Sequence, residues 1–234
     1  MAKTYLDIVN IVLQDANEVP VSQAAFSNVR GLQAFIKEAV NRALMDINTS
    51  GTQWEWLKEG TVKNPISVST VDGTQFYDFR DLGVASAPYV DVDFDTFFIG
   101  DGSTFRKPLL SISYDHWNDL YRANDELNTD SKGIPNYIIV TGEKNVFGLS
   151  PVPDGAYTVN FHAWSDASFL VNHDDELPFP DQYYTVLVDR ARHYLWDFKE
   201  NETKAAKANN AFKRGLKQMQ QQLAPMRDTR MRVR

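Results

Sequence analysis

The spacing of apolar residues changes twice along this chain, and this constrains its fold more than any other feature. Near the N-terminus, and again after residue 177, apolar residues recur every three or four positions, which is the period of one helix face. Between about Gly60 and Ala167, short alternating runs are separated by turn residues, as is typical of strands. The sequence therefore predicts an α+β fold, in which both chain ends form an amphipathic helical bundle around an inserted antiparallel β sandwich or barrel.

Residues 1–58 are predicted to hold two helices, which form the first part of the helical domain. Thr4 and Asp7 have the spacing of a capping box at the start of the first helix. The second helix is predicted to begin at Ser27 and to end at "NTSG", Asn48–Gly51. Each helix carries an apolar stripe that needs a partner, because an amphipathic helix is not stable alone in water.

The inserted β domain is predicted to cover residues 59–176. Its short strands are separated by turn signals that favour hairpins, and hairpins at short spacing indicate antiparallel pairing. The predicted turns are Asp72–Gly73, Asp101–Gly102, Glu143–Asn145 and Asp154–Gly155. One short helix is predicted at 114–127.

The helical domain is predicted to resume over residues 177–223, where Asp181 can cap a helix whose apolar face continues to Leu223. The segment "KENETK" is polar throughout, so the pattern leaves open whether this region is one helix or two. Pro225 ends the helical pattern, and residues 224–234 are predicted to form an extended basic C-terminal arm.

Composition narrows the possible functions. The net charge of −7 argues against a body that wraps nucleic acid, because such surfaces need clustered Lys and Arg. The chain has no cysteine, which excludes disulfides, thiolate catalysis and Cys-ligated metals. The N-terminus lacks the pattern of a signal peptide, and no apolar run is long enough to span a membrane. We therefore expect a soluble protein made in the cytoplasm.

No catalytic motif is found in the sequence, so we predict no enzyme, no metal and no cofactor. The four histidines are scattered, and His193 is better explained as a helix-surface or partly packed residue than as a catalytic base. Asp91, Asp93 and Asp95 alternate like calcium ligands, but the positions that an EF-hand would fill with Gly and Glu hold Thr96 and Gly102. We interpret this run as a strand with solvated acids on one side.

Tryptophans lie on several predicted elements, and two of them, Trp54 and Trp56, are close together in "WEWL". We expect this pair to serve in packing or in contacts between subunits, because aromatic side chains dominate cores and interfaces. A sugar-binding platform is a weaker interpretation of the same residues.

The C-terminal arm is basic in an otherwise acidic chain: residues 227–234 hold four arginines and one aspartate. It could be a solvated end, a DNA-phosphate contact or a docking arm for another protein. Four arginines release few counterions, so DNA affinity at physiological salt should be weak. The docking arm fits best, with apolar anchors between the charges. Its predicted contact residues are Met226, Arg227, Arg230, Met231, Arg232, Val233 and Arg234.

Several segments occur in an order that resembles a known family. These are "WEWL", then "VDGTQFYDF", then "GIPNYIIVTGEKNVFGLSPVPDGAYTVNFHAW", and finally "ELPFPDQYYTVLVDRARHYLWDFKEN". The chain is similar, over about residues 4–223, to the head-to-tail adaptor proteins of short-tailed bacteriophages, also called tail tubular or head-completion proteins. The matching motifs are structural and none is catalytic.

The resemblance implies a structural virion protein in a homo-oligomeric ring, twelvefold in this family, which docks on the portal protein of the filled capsid. The C-terminal arm would run along the portal, and tail nozzle or tailspike proteins would attach below. Viral DNA would be met only in transit, and no membrane is involved. Two other classes stay open: a tail-associated cell-wall hydrolase using Asp and Glu, and a carbohydrate-binding receptor module.

Overall fold

The structure, a computed structural model, describes residues 3–50, 53–62, 65–81, 89–102, 105–127, 131–143, 145–166 and 169–223. These residues fold into two compact units. The helical unit contains the described residues of Met1–Trp56 and Ala167–Arg234, and the β unit is Leu57–Asp166. The C-terminal arm predicted at 224–234 lies outside the described residues.

The helices and strands are numbered here in chain order. The helices are α1 (Tyr5–Asp15), α2 (Leu32–Asn48), α3 (Tyr114–Leu120), α4 (Arg122–Leu127), α5 (Tyr184–Phe198) and α6 (Glu202–Leu223). The strands are β1 (Lys58–Glu59), β2 (Ser67–Ser69), β3 (Phe76–Asp78), β4 (Asp91–Gly100), β5 (Arg106–Pro108), β6 (Leu110–Ser113), β7 (Tyr137–Val140), β8 (Val146–Ser150) and β9 (Thr158–Trp164). The predicted α+β class is confirmed.

The helical unit brings the two chain ends together. α1 packs on α2, α2 packs on α5, and α5 packs on α6, so the apolar stripes cover one another. The predicted capping box is confirmed, because Thr4 Oγ1 accepts from Asp7 N at 3.3 Å and Asp7 Oδ2 accepts from Thr4 N at 3.1 Å. The core side chains of this unit are fully buried and include Ile8, Val12, Ile36, Val40, Leu44, Leu187 and Leu195.

Two details of the helical prediction are corrected, and one question that the sequence left open is answered. Ser27 lies in a 3₁₀ turn, Gln23–Asn28, and α2 begins only at Leu32, after Gly31 adopts a φ of 58°. Asp181 does not cap α5: it lies in the 3₁₀ turn before α5, and its Oδ1 accepts from Lys3 N at 3.0 Å. The C-terminal region is two helices, because Glu200 adopts a φ of 53°, which ends the first.

The β unit contains two sheets. In one, the strand order is β1-β9-β4-β5, with β2 also paired to β9; in the other it is β3-β8-β7-β6. The two sheets share one aromatic core, in which the Phe97 ring of β4 lies 4.6 Å from Phe161 of β9 and 5.6 Å from Phe147 of β8. This packing accounts for the alternation of buried and half-buried residues along most of β9.

Two of the four predicted turns join paired strands, and two do not. The turns at Asp101–Gly102 and Glu143–Asn145 connect the antiparallel pairs β4–β5 and β7–β8. The turns at Asp72–Gly73 and Asp154–Gly155 instead carry the chain from one sheet to the other, so the hairpins predicted there are wrong. One pair, β6–β7, is parallel, because α3 and α4 provide the long crossover that a parallel connection requires.

Candidate functional site

Trp54 and Trp56 stack on each other beside the end of α2. Their ring centroids are 4.5 Å apart with an interplanar angle of 17°. Trp54 is completely buried and its Nε1 donates to Ile47 O at 2.8 Å, whereas Trp56 is half-buried and donates to Asn48 Oδ1 at 3.1 Å. The Trp56 ring also lies 5.6 Å from Phe179. The pair therefore anchors the segment after α2 within the helical unit.

A charged cluster connects three helices of the same unit. Asp46 Oδ2 accepts from Arg190 Nε and from Tyr194 Oη, each at 2.6 Å. Arg190 also donates to Asn209 Oδ1 at 3.1 Å, and its guanidinium lies 5.1 Å from the Phe212 ring. Burial, with the hydrogen bond to Asp46, raises the pKa of Tyr194. These contacts fasten α2, α5 and α6 to one another.

A cleft of about 390 Å³ lies in the helical unit, lined by Asp15, Asp189, Arg192, Trp196, Lys204, Lys207, Ala208 and Ala211. Its two carboxylates accept from one guanidinium: Arg192 donates to Asp15 at 2.5 Å and to Asp189 at 3.0 Å. Lys204 Nζ lies 4.0 Å from the centroid of the Trp196 ring. The ion pair of Arg192 with Asp15 fastens the end of α1 to α5, and its ion pair with Asp189 lies within α5.

The β unit has a polar centre at Asp125 of α4, a half-buried residue. Its Oδ2 accepts from Ser150 Oγ at 2.7 Å, from Trp117 Nε1 at 2.8 Å and from Gln75 Nε2 at 3.1 Å. Ser150 is 2 % exposed and Trp117 is 1 % exposed. The carboxylate thereby fastens α3 and α4 to the sheet that contains β8. This centre was not predicted from the sequence, because its members come from four separate segments.

The three alternating aspartates lie in β4, as expected for a strand, but the strand is irregular there. The register with β9 shifts between Asp93 and Phe98. Asp93 Oδ1 accepts from Asp95 N at 3.2 Å, and Asp95 Oδ1 accepts from Ser111 Oγ at 3.0 Å. Across the described residues, no group of three or more His, Asp or Glu side chains is placed to hold a metal ion.

The histidines are also dispersed. His193 is half-buried, with Nδ1 3.2 Å from Ala205 O, and His173 Nδ1 lies 3.7 Å from Asp174 Oδ1. Each helix in the described segments is too short or too polar to cross a membrane. The seven residues of the C-terminal arm that are predicted to contact the portal all fall between positions 226 and 234, which lie outside the described residues.

Comparison with known proteins supports the resemblance seen in the motifs. The family model for the SU10 adaptor protein matches residues 3–234, which is nearly the whole chain. No curated protein matches the chain. The chain belongs to the SU10 adaptor protein family, and the prediction of a bacteriophage head-to-tail adaptor, a structural virion protein, is confirmed.

Proposed function

We propose that this chain is the subunit of a ring that docks on the portal of the filled capsid and joins it to the tail. The family match carries the proposal, because it runs through the basic C-terminal residues as well as the folded units. A ring of identical subunits is a head-to-tail assembly, so each subunit needs two different complementary faces. We expect twelve copies, as the resemblance implies.

In this proposal the two domains have different partners. The helical domain, residues 1–58 and 177–223, meets the portal protein, and the inserted domain, residues 59–176, offers the attachment surface for nozzle or tailspike proteins. The helical unit supports this division because α6 ends at Leu223, so the arm continues from that unit. The eleven residues after Leu223 span at most about 40 Å when fully extended.

The arm recognises the portal through charge and apolar contacts together. Arg227, Arg230, Arg232 and Arg234 can each make bidentate hydrogen bonds with carboxylates. Met226, Met231 and Val233 provide apolar anchors between them. DNA is a partner only in transit, and the net charge of −7 reduces its adhesion to the channel.

Co-sedimentation with emptied capsids that carry an exposed portal tests this proposal. The full chain is compared with a chain ending at Leu223 and with a control in which the four arm arginines are replaced by lysine, which keeps the charge and removes the bidentate geometry. We expect saturable binding of the full chain, intermediate binding of the lysine control, and weak binding of the truncated chain. Equal binding of all three would contradict the role of the arm, and no binding by the full chain would contradict docking on the portal.

A further inference from the structure

Charge is divided unevenly along this chain. Residues 1–201 contain 29 acidic and 15 basic residues, a net charge of −14, whereas residues 202–234 contain two acidic and nine basic residues, a net charge of +7. Much of that positive charge lies on α6, which has five basic residues and one acidic residue, Glu202, in its first turn. α6 is thus a strongly basic element in an acidic protein.

Four of these cations share one exposed side of α6. We call Lys207, Lys213, Arg214 and Lys217 the basic face. Lys217 lies three residues after Arg214 and four after Lys213, and Arg214 lies seven residues after Lys207. Residues three, four or seven positions apart lie on one side of a helix. All four residues are exposed. The opposite side is buried through Ala205, Ala208, Phe212 and Met219.

The structure of the monomer does not explain the basic face. In the described part of the chain, no carboxylate lies within 4.0 Å of its four cationic groups, and Arg214 Nε reaches only Asn210 O, at 3.4 Å. Lys213 and Lys217 are like charges one turn apart, which destabilises a helix. The helix dipole does not account for them either, because the last turn of α6 has no basic residue. Lys204 differs, since it lies over the Trp196 ring.

An opposite charge of suitable size is present on the same chain. The β unit contains sixteen acidic and eight basic residues, a net charge of −8. Asp115 and Asp119, for example, are exposed one turn apart on α3, and no cationic group of the described residues forms an ion pair with either. The exposed neighbours of the basic face on α6 include the polar residues Asn210 and Gln218 and one small apolar residue, Ala206, so charge is the main feature that a partner can recognise.

We infer that the basic face of α6 binds the acidic surface of the β unit on a second copy of this chain. The inference rests on the ring of the proposed function, which requires two unlike faces on each subunit. DNA is the other polyanion that could occupy a basic helix. A second copy fits better than DNA, because residues 1–201 have a net charge of −14 and repel a nucleic acid. A neighbouring copy instead pairs the positive charge of the basic face with the negative charge of its own β unit.

Charge reversal tests the contact in the full-length protein. In the test variant, Lys207, Lys213, Arg214 and Lys217 are all replaced by glutamate. In the control variant, which changes the net charge equally, glutamate replaces Arg30, Arg42, Lys199 and Lys204, which are exposed and lie outside both the basic face and the β unit. Sedimentation velocity at low ionic strength should show self-association of the wild type that weakens with salt. The test variant should associate at least about tenfold more weakly, and the control should not.

Cross-linking of the unchanged protein gives an independent readout. Light- and heavy-nitrogen copies are mixed and treated with a carbodiimide, which joins an amine directly to a carboxylate. Mixed-isotope products should connect Lys207, Lys213 or Lys217 to acidic residues of 57–166. Mixed-isotope products that avoid these lysines would overturn the inference, as would a wild type that stays monomeric at low salt.

Two further measurements separate this contact from its alternatives. If the test variant loses binding to a DNA duplex while its self-association is unchanged, the basic face serves nucleic acid and the inference is wrong. The portal co-sedimentation described above reports on the proposed function alone. Loss of self-association in the test variant supports the contact between copies whether or not the wild type binds the portal.

Discussion

Arg190 Nε donates to Asp46 Oδ2 at 2.6 Å, and this bond joins α5 to α2 across 144 residues of sequence. Tyr194 Oη donates to the same oxygen at 2.6 Å. The two residues of the ion pair are partly buried, with side chains 20 % and 32 % exposed. One carboxylate therefore holds both ends of the chain in the helical unit.

We expect Asp46→Ala to lower the free energy of unfolding of the helical unit by about 1–2 kcal/mol, because it leaves Arg190 and Tyr194 without their shared acceptor; the figure allows for partial exposure. Urea unfolding followed by far-ultraviolet circular dichroism measures the change. Glu38→Ala is the control, because Glu38 is 60 % exposed and its ion pair is with Arg42 of the same helix, α2. It should change the free energy by less than about 0.5 kcal/mol. Equal losses of stability in Asp46→Ala and Glu38→Ala would show that the ion pair of Asp46 stabilises the fold no more than an exposed ion pair does.

In the β unit, Asp125→Asn should be destabilising by about 1–3 kcal/mol. The substitution removes the charge that accepts three hydrogen bonds and places an amide among donors. Trp117 fluorescence and thermal unfolding both report the loss, since the indole donates to this carboxylate. Asp119→Asn, at an exposed position of the neighbouring helix, should leave the melting temperature unchanged. An unchanged stability of Asp125→Asn would contradict this prediction, because it would mean that the three donors do not need the carboxylate as their acceptor.

Two glycines with the same backbone conformation should respond very differently to alanine. Gly60 and Gly102 both have a φ of 83°. A Cβ at Gly60 would lie 1.9 Å from Phe161 O, whereas a Cβ at Gly102 would meet nothing within 4 Å. Gly102→Ala should cost about 1–2 kcal/mol from backbone strain, and Gly60→Ala should cost more than about 3 kcal/mol because the β1–β9 pairing must also move. Chemical denaturation of both variants gives the comparison, and similar losses would contradict it.

Acid should weaken the fold partly through Asp175. Hydrogen bonds from the backbone N–H groups of Val171 and Asn172 hold the pKa of Asp175 below its usual range. A depressed folded-state pKa means that the ionised group stabilises the fold above the unfolded-state pKa, and that this contribution disappears as the pH falls through the folded-state value. The effect should therefore appear below about pH 4.

Unfolding measured across that range tests the assignment. Asp175→Asn should be less stable than wild type at neutral pH, and the difference should shrink in acid. Asp174→Asn is the control, because the Asp174 side chain is 73 % exposed, and it should follow the wild-type curve. A constant gap between Asp175→Asn and wild type at every pH would assign the loss to packing.

Local features of the fold were predictable because their signals lie within a few residues. The capping box of Thr4 and Asp7 is read from two positions three apart, and both of its hydrogen bonds are present. The turn at Asp101–Gly102 likewise joins adjacent paired strands. The start of α2 was misplaced because the apolar pattern continues through the 3₁₀ turn, Gln23–Asn28, and does not distinguish it from a helix.

Features that depend on distant partners could not be predicted in the same way. The residues Asp72–Gly73 are typical of a hairpin turn, but the strands on either side of them, β2 and β3, do not pair with each other. β2 pairs with β9 and β3 pairs with β8, and both partners lie far along the chain. The acceptor at Asp125 and the bond from Arg190 to Asp46 also depend on tertiary packing. The basic face of α6 was readable in principle, because no acidic residue occurs from residue 203 to residue 223.

The strands that open and close the β unit are neighbours, since Lys58 pairs with Trp164 and Glu59 pairs with Ala163. Partner residues of an antiparallel pair lie about 5 Å apart, so the two ends of the β unit lie next to each other. An insertion with adjoining ends behaves as a cassette. Over evolutionary time it can be enlarged, trimmed or traded between phages while the helical scaffold keeps its own ends in place.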